Sequence, residues 1–303
     1  MKKVILLIIS ACFLLSSCDI NVVTPDTTEE TLPVIATSET VTTDVPDLEC
    51  FPVIVNGVEI SDAPERVVSL SPSHTEILFE MGYGDFLVGR STYCDYPEAV
   101  SSITDVGRPS KPDLNAIISL KPDLLLTATS IPLKDQYKLE EYGIKVLYIP
   151  YPSSIEEFER IYSAFGLIFE GTFDGEEIGK QYFNSIENAF SQAEIELEEF
   201  VYITENLSVA TGDTFESNVL SCFGSNVAES SVDYSYPKEY LIEFQPEIVL
   251  LNSDYTIDDL FADEVYCQLD AVLNGKVFYV DNSYFERPSA RITEIIDVIK
   301  SIE

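Results

Sequence analysis

The sequence predicts an α/β protein built from two similar lobes, each a small parallel sheet covered by helices, and three observations carry that prediction. Short runs of continuous Leu, Ile and Val alternate with stretches of helical period, the pattern of strands buried on both faces. Residues 117–126 (IISLKPDLLL) are echoed by residues 241–250 (LIEFQPEIVL), with Pro122 and Pro246 in register between a helix end and an apolar strand. A second echo follows in the same order, KVLYIP at 145–150 and KVFYVD at 276–281, each shortly after a glycine, Gly143 or Gly275.

The elements follow in order. Residues 1–18 (MKKVILLIISACFLLSSC) have two lysines, an apolar run from Val4 to Leu15 and small residues before Cys18, the layout of a secretory signal. The run is short for a membrane span. Its end, Leu15-Ser16-Ser17-Cys18, resembles a bacterial lipobox, which implies lipidation at Cys18 and a protein anchored to the outer surface of a membrane. Residues 18–49, rich in Thr, Asp, Glu, Val and Pro without a sustained period, read as a flexible tether.

The folded part opens on FPVIVNGVEI, where Asn56-Gly57 between β-rich runs predicts a hairpin. RVVSLSPSHTEILFEMG then predicts a buried strand turning into a helix. Residues 50–172 make the first lobe and 200–303 the second. Between them, residues 173–199 carry Ile178, Tyr182, Ile186, Ala189, Ala193 and Leu197 at helical spacing, with Asp174 and Glu177 as a capping pair. One helix of about 35 Å is therefore expected to join the lobes.

Charge excludes some functions. The 303 residues carry 17 Lys and Arg against 53 Asp and Glu, a formal charge of −36, which repels phosphate backbones and excludes nucleic acid as a partner. The single histidine, His74, leaves too few borderline ligands for a zinc or manganese site, so no metal or cofactor is expected. No GxSxG elbow accompanies His74, and no enzymatic role is expected. Of the cysteines beyond Cys18, Cys50, Cys94, Cys222 and Cys267 permit three full pairings; a Cys222–Cys267 bond is favoured, with four buried thiols equally compatible.

Ligands of parallel sheets bind outside the carboxyl ends of the strands, and the sequence places aromatic and polar residues there. Ser71, Ser73 and His74 follow RVVSL; Tyr93 and Tyr96 stand in STYCDYP; Tyr151 follows KVLYIP; Tyr284 and Phe285 follow KVFYVD. Such rings suit a large, flat, partly apolar ligand. Arg90, Arg108 and Arg287 are the cations near these segments. His74 admits three readings: a catalytic base, an axial ligand to iron or cobalt, or a polar residue at a helix start.

APERVVSLSPSHTEILFEMG, STYCDYPEA, LNAIISLKPDLLL, GDTFESNVLSCFGSN and SYFERPSARI, in that order from Ala63 onward, resemble the cobalamin-binding proteins of ABC importers, within the class III substrate-binding family that also holds ferric-siderophore and haem binders. The resemblance implies two Rossmann-like lobes joined by one long helix, with the ligand in the cleft between them. It implies capture of cobalamin or a related corrinoid and delivery to a permease with its cytoplasmic ATPase, by a protein expected to be monomeric. Tyr93 and Tyr284 fall where relatives present aromatic contacts, Tyr284 standing where a tryptophan is usual. The ligand set so expected is Ser73, His74, Tyr93, Tyr96, Arg108, Tyr151, Tyr284, Phe285 and Arg287. Relatives dock through one surface glutamate per lobe; Glu239 matches in the second lobe, whereas Asn115 stands at the first-lobe position and Asp113 is the nearby acid. The competing readings are a ferric-siderophore or haem carrier of the same fold, and a surface adhesion or sensory protein without a transporter.

Overall fold

The computed structural model of the chain describes residues 50–302. The signal, the lipidation site Cys18 and the whole of the tether, residues 18–49, lie outside the described residues.

Strands β1 (Val53–Val55) and β2 (Val58–Ile60) pair antiparallel around Asn56 and Gly57, which adopt φ of 46° and 81°. Both values are left-handed, the requirement of the two-residue primed turn that an Asn-Gly pair favours. The first lobe continues as β3 (Val67–Ser69), α1 (Pro72–Glu80), β4 (Leu87–Arg90), β5 (Thr104–Asp105), a short antiparallel pair β6 (Gly107–Arg108) and β7 (Lys111–Pro112), α2 (Leu114–Leu120), β8 (Leu124–Thr127), α3 (Leu133–Glu140) and β9 (Lys145–Tyr148). Its sheet is parallel, in the order β5-β4-β3-β8-β9.

Helices α4 (Ile155–Glu170) and α5 (Gly175–Gln192) follow, then β10 (Glu199–Ile203), α6 (Phe215–Leu220), β11 (Ser225–Asn226), α7 (Leu241–Phe244), β12 (Ile248–Asn252), α8 (Ile257–Ala262), α9 (Asp270–Leu273), β13 (Val277–Val280), α10 (Ser283–Glu286) and α11 (Ile295–Lys300). The second sheet is also parallel, in the order β11-β10-β12-β13. The two echoes fall on matching elements: β8 beside β9 in one sheet, β12 beside β13 in the other. The helices before them, α2 and α7, each stop on a left-handed residue, Lys121 (φ 51°) and Gln245 (φ 49°), directly before the matched prolines.

Alternate residues of each strand serve different cores. Phe200 and Tyr202 of β10, Ile248 and Leu250 of β12, and Leu124 and Leu126 of β8 enter one large core shared by both lobes. Val201, Ile203, Val249 and Leu251 face an outer core beneath α7, α8 and α9, and Val68 and Leu125 face another with α2 and α3. Burial on both faces is why these strands read as unbroken apolar runs.

The connector differs from the expected single helix over 173–199. It is an antiparallel pair, α4 packed on α5, and α5 ends at Gln192; Leu197 lies beyond it, on the approach to β10. Gly166, Gly175 and Gly179 line the contact, where a Cβ on Gly166 would collide with the Gly175 carbonyl and one on Gly179 with the Tyr162 carbonyl. The buried face of α5 is thus Gly175, Gly179, Phe183 and Ile186, and a hydrophobic count over the helix misses its two glycines. Asp174 precedes α5 without a side-chain capping bond, so the expected Asp174–Glu177 pair is not formed.

A polar clasp also ties the lobes together. Helix α1 of the first lobe meets residues 287–291 of the second. The Ser289 hydroxyl donates to Glu76 Oε2 (2.6 Å), Arg291 approaches Glu76 Oε1 (3.3 Å), and the Ala290 amide donates to Glu80 Oε2 (3.1 Å), which also takes the Tyr162 hydroxyl (2.7 Å). Arg287 and Asp95 pair across the same boundary at 2.6 Å. Burial holds the pKa of both Glu76 and Glu80 above the usual carboxylate range, against the pull of these partners.

Candidate functional site

Strand order reverses beside β3 in the first sheet and beside β10 in the second, because β4 and β5 lie to one side of β3 and β8 and β9 to the other, as β11 and β12 flank β10. Crevices at such reversals are where open α/β sheets hold ligands.

In the first lobe, β3 runs into Ser71, whose hydroxyl accepts the His74 amide and caps α1. Beyond β4, Ser91 and Thr75 hold the buried Cys94 sulfur at 3.3 and 3.2 Å, fixing the turn that carries Tyr93 and Tyr96 outward at 47% and 45% exposure. The face of Tyr96 lies under the Arg291 guanidinium of the second lobe at 4.4 Å. Tyr151, after β9, is half-buried against the Ser71 side chain, with burial raising the pKa of its phenol and with Arg287 and Glu286 of the second lobe in electrostatic reach.

In the second lobe a cavity of about 380 Å³ opens at the ends of β10 and β13. Glu205 and Asn206 enter from the turn after β10, Glu216 from α6, Tyr234 from a loop, and Phe285 and Glu286 from α10. The Tyr234 hydroxyl donates to Glu216 (2.7 Å), and Tyr202 donates to Asn282 (2.9 Å), whose amide donates to Glu286 (2.9 Å). The pKa of Glu286 is raised, first by burial, with the neighbouring Glu205 carboxyl adding to the rise; burial raises that of Glu216. The wall therefore sets three carboxyls among the hydroxyls and amides of Ser208, Asn206 and Asn282 on an aromatic base, where the ring of Phe285 lies beside Tyr202 at 5.4 Å.

The structure brings Tyr96, Tyr151 and Arg287 to the lobe boundary and Phe285 to the second-lobe cavity, leaves Tyr93 exposed on the turn that carries Tyr96, and corrects several expectations. His74 is wholly buried beside Phe165, and burial pulls its pKa down to about 3; it packs in the interior and cannot touch a ligand in the cleft. Ser73 is buried and donates to the Pro288 carbonyl (2.5 Å), a lobe-to-lobe bond in place of a ligand contact. Tyr284 turns its hydroxyl to Glu294 (3.2 Å) and its ring partly into the shared core, and no ring contact among the described residues joins it to Tyr93. Arg108 is exposed on the β6–β7 hairpin.

Cys222 and Cys267 are not bonded: their sulfurs lie near the Asn218 and Glu264 carbonyls of their own turns, at 3.8 and 3.7 Å. Asp113 is exposed, but its Oδ1 caps α2 by accepting the Asn115 and Ala116 amides, and Lys138 donates to the side chain of Asn115 (3.2 Å). Glu239 is exposed on the turn leading into α7.

Sequence reading missed Glu205, Glu216 and Tyr234. The strand-end rule applied to β10 points to Glu205; no local signal marks Glu216 or Tyr234, which tertiary folding alone brings to the cavity. Among the described residues no cluster of His, Cys, Asp and Glu stands ready for a metal ion, and no helix is long and apolar enough to cross a membrane.

The chain is similar to a vitamin B12-binding protein of Vibrio parahaemolyticus, 25% identical over 264 residues that span 84% of this chain and 95% of that protein. Among solved structures it is similar to a possible iron-binding (periplasmic solute-binding) protein of Staphylococcus epidermidis, with a TM-score of 0.66 and 24% identity over 80% of this chain and 99% of that one. It is likewise similar to the periplasmic haem-binding protein HutB of Vibrio cholerae, with a TM-score of 0.64 and 20% identity over 78% and 96%. The last two likenesses establish the fold. The profile of the periplasmic binding proteins matches residues 67–284, most of the described body, and the chain belongs to that family, whose members bind solutes for transport and are not enzymes.

Proposed function

We propose that this protein is an extracytoplasmic, lipid-anchored solute-binding protein that captures cobalamin or a related corrinoid between its lobes and delivers it to the permease of an ABC importer. The observation that carries the reading is the second-lobe cavity of about 380 Å³ at its strand ends, with an aromatic base and polar walls, whose Glu286 lies within electrostatic reach of Tyr151 on the first lobe. Aromatic faces hold a flat macrocycle, and acceptors at its edge orient it. The likeness to a vitamin B12-binding relative over nearly its whole length supports the same ligand class. In this reading Tyr93, Tyr96, Tyr151, Phe285 and Arg287 contact the ligand, Cys18 carries the lipid, residues 18–49 are the tether, and Glu239 meets the permease.

Titration of the soluble body with cobalamin, followed by the corrin absorbance and by calorimetry, tests the reading; the expected result is saturable binding of one ligand per chain. No response to cobalamin or cobinamide would overturn it. The iron- and haem-binding structural neighbours favour a second reading, a haem or ferric-siderophore carrier, in which those ligands bind and corrinoids do not.

A further inference from the structure

The charges around the cleft are distributed unevenly, and their partners decide what is left for a ligand. Arg90 is held by Asp105 (3.4 Å) and the Ser91 carbonyl (3.1 Å), Arg287 by Asp95 (2.6 Å), and Arg291 by Glu76 (3.3 Å), Glu294 (3.7 Å) and the face of Tyr96. These guanidiniums are already neutralised by carboxylates of the chain itself. Of the four arginines near the cleft, Arg108, exposed on β6, is the one without an ion pair among the described residues.

The second-lobe cavity is the reverse case. No lysine or arginine lines it, while Glu205, Glu216 and Glu286 do. Glu216 accepts from the Tyr234 hydroxyl and from its own amide, and Glu286 accepts from the Asn282 amide and bonds the Glu205 carboxyl. A carboxylate accepts at two oxygens with about four lone-pair sites, so acceptor sites remain for a ligand. Ligand groups that bring N–H donors therefore match this wall best. A carboxylate there would meet the like charge of three glutamates in a partly desolvated space, with no lysine or arginine in the lining to offset it.

We propose that Glu205 and Glu286 select ligands by edge chemistry, admitting a ring rimmed by carboxamides and rejecting the same ring rimmed by carboxylates. This rests on the corrinoid reading and adds to it the residues that discriminate within the class.

The test holds the ring constant and changes its edge. Dicyanocobinamide, whose side chains are amides, and dicyanocobyrinic acid, whose corresponding side chains are free acids, are titrated into the soluble body by calorimetry at pH 7.5. The amide form is expected to bind and the acid form to bind at least about tenfold more weakly, the ratio shrinking as salt is raised from 0.05 to 0.5 M because the discrimination is electrostatic. In a Glu205→Gln/Glu286→Gln double variant the acid form gains affinity, the amide form loses some, and the ratio collapses toward one. Arg108→Ala changes the ratio by less than about twofold.

Equal binding of the two forms by the wild type, or a salt-independent ratio, overturns the proposal; so does full discrimination by the double variant. If the double variant fails to fold, Glu205→Gln and Glu286→Gln made singly carry the test, because the net charge of −36 alone gives the wild type a salt-dependent preference for the amide form. Binding of neither form refutes the corrinoid reading itself, a different outcome from equal binding of both.

Discussion

Glu76→Ala should destabilise the protein by about 2–3 kcal/mol. The Glu76 side chain is 3% exposed and receives the Ser289 hydroxyl at 2.6 Å and Arg291 at 3.3 Å. Removing one partner of a buried, hydrogen-bonded ion pair costs about 3–5 kcal/mol. Two features place this case at or below the lower end. Arg291 is 24% exposed and keeps Glu294 and the Tyr96 ring, and burial has already raised the pKa of Glu76, so part of the loss is returned as relieved desolvation. For a folded body of this size, 2–3 kcal/mol corresponds to about 5–10 °C in Tm. Urea and thermal unfolding, followed by circular dichroism, measure it. Glu76→Gln, which keeps the shape and one acceptor, should lose less. Because the clasp ties one lobe to the other, Glu76→Ala should also widen the distribution of lobe spacings seen by small-angle X-ray scattering. A loss under about 0.5 kcal/mol with an unchanged scattering curve would refute the idea that α1 and residues 287–291 hold the lobes in place.

Stability should peak at mildly acidic pH. Glu76, Glu80, Glu216 and Glu286 have pKa values raised in the folded state, first by burial, so the fold takes up protons as pH falls from neutrality toward the ordinary 4.5 and gains stability there. Asp105, Glu157 and Asp213 have theirs lowered by the amides of Gly107, Ser153 and Asp233, a contribution present above their ordinary values and lost below them. Urea midpoints should therefore be higher at pH 5.5 than at 7.5 and fall again below pH 4; a steady decline from 7.5 to 5.5 contradicts the assignment. His74→Ala should cost about 2–3 kcal/mol through the void it leaves while changing the ligand dissociation constant less than twofold, and a large loss of affinity would restore His74 to the site. Gly179→Ala should separate α4 from α5 and cost more than about 2 kcal/mol in thermal unfolding, whereas an unchanged melting temperature would mean the helices do not pack on their glycines. Glu239→Ala should abolish most transporter-dependent uptake without altering ligand affinity; uptake at the wild-type rate would remove Glu239 from the docking surface.

The architecture was largely legible because it repeats. Proline after a helix end, then an apolar strand, marks α2–β8 and α7–β12, and the structure adds the shared backbone reason, a left-handed residue at 121 and 245. The connector was misjudged for an equally physical cause. Periodicity counts apolar side chains, and α4 meets α5 partly through Gly166, Gly175 and Gly179, which have none, so the pattern along α5 does not reveal the partner helix lying on its glycines. At the site, strand-end position located Tyr93, Tyr96, Tyr151 and Phe285, but the same rule swept in Ser73 and His74. Those two open α1, and the first turn of that helix faces Pro288 and Phe165 instead of the crevice. Glu216 and Tyr234 lie 18 residues apart in the chain and join only through folding.

The alternation of strand residues between a shared core and two outer cores divides the labour of the molecule. The helices that would face a transporter, α2 and α7, rest on cores that the sheets wall off from the one lining the lobe boundary. Asn115, bonded to Lys138 on the outer face of the first lobe, belongs to the layer over one outer core, on the far side of the sheet from the core shared by the lobes. Which machine the protein serves and which cargo it carries can thus drift independently, each rewritten on its own side of a sheet.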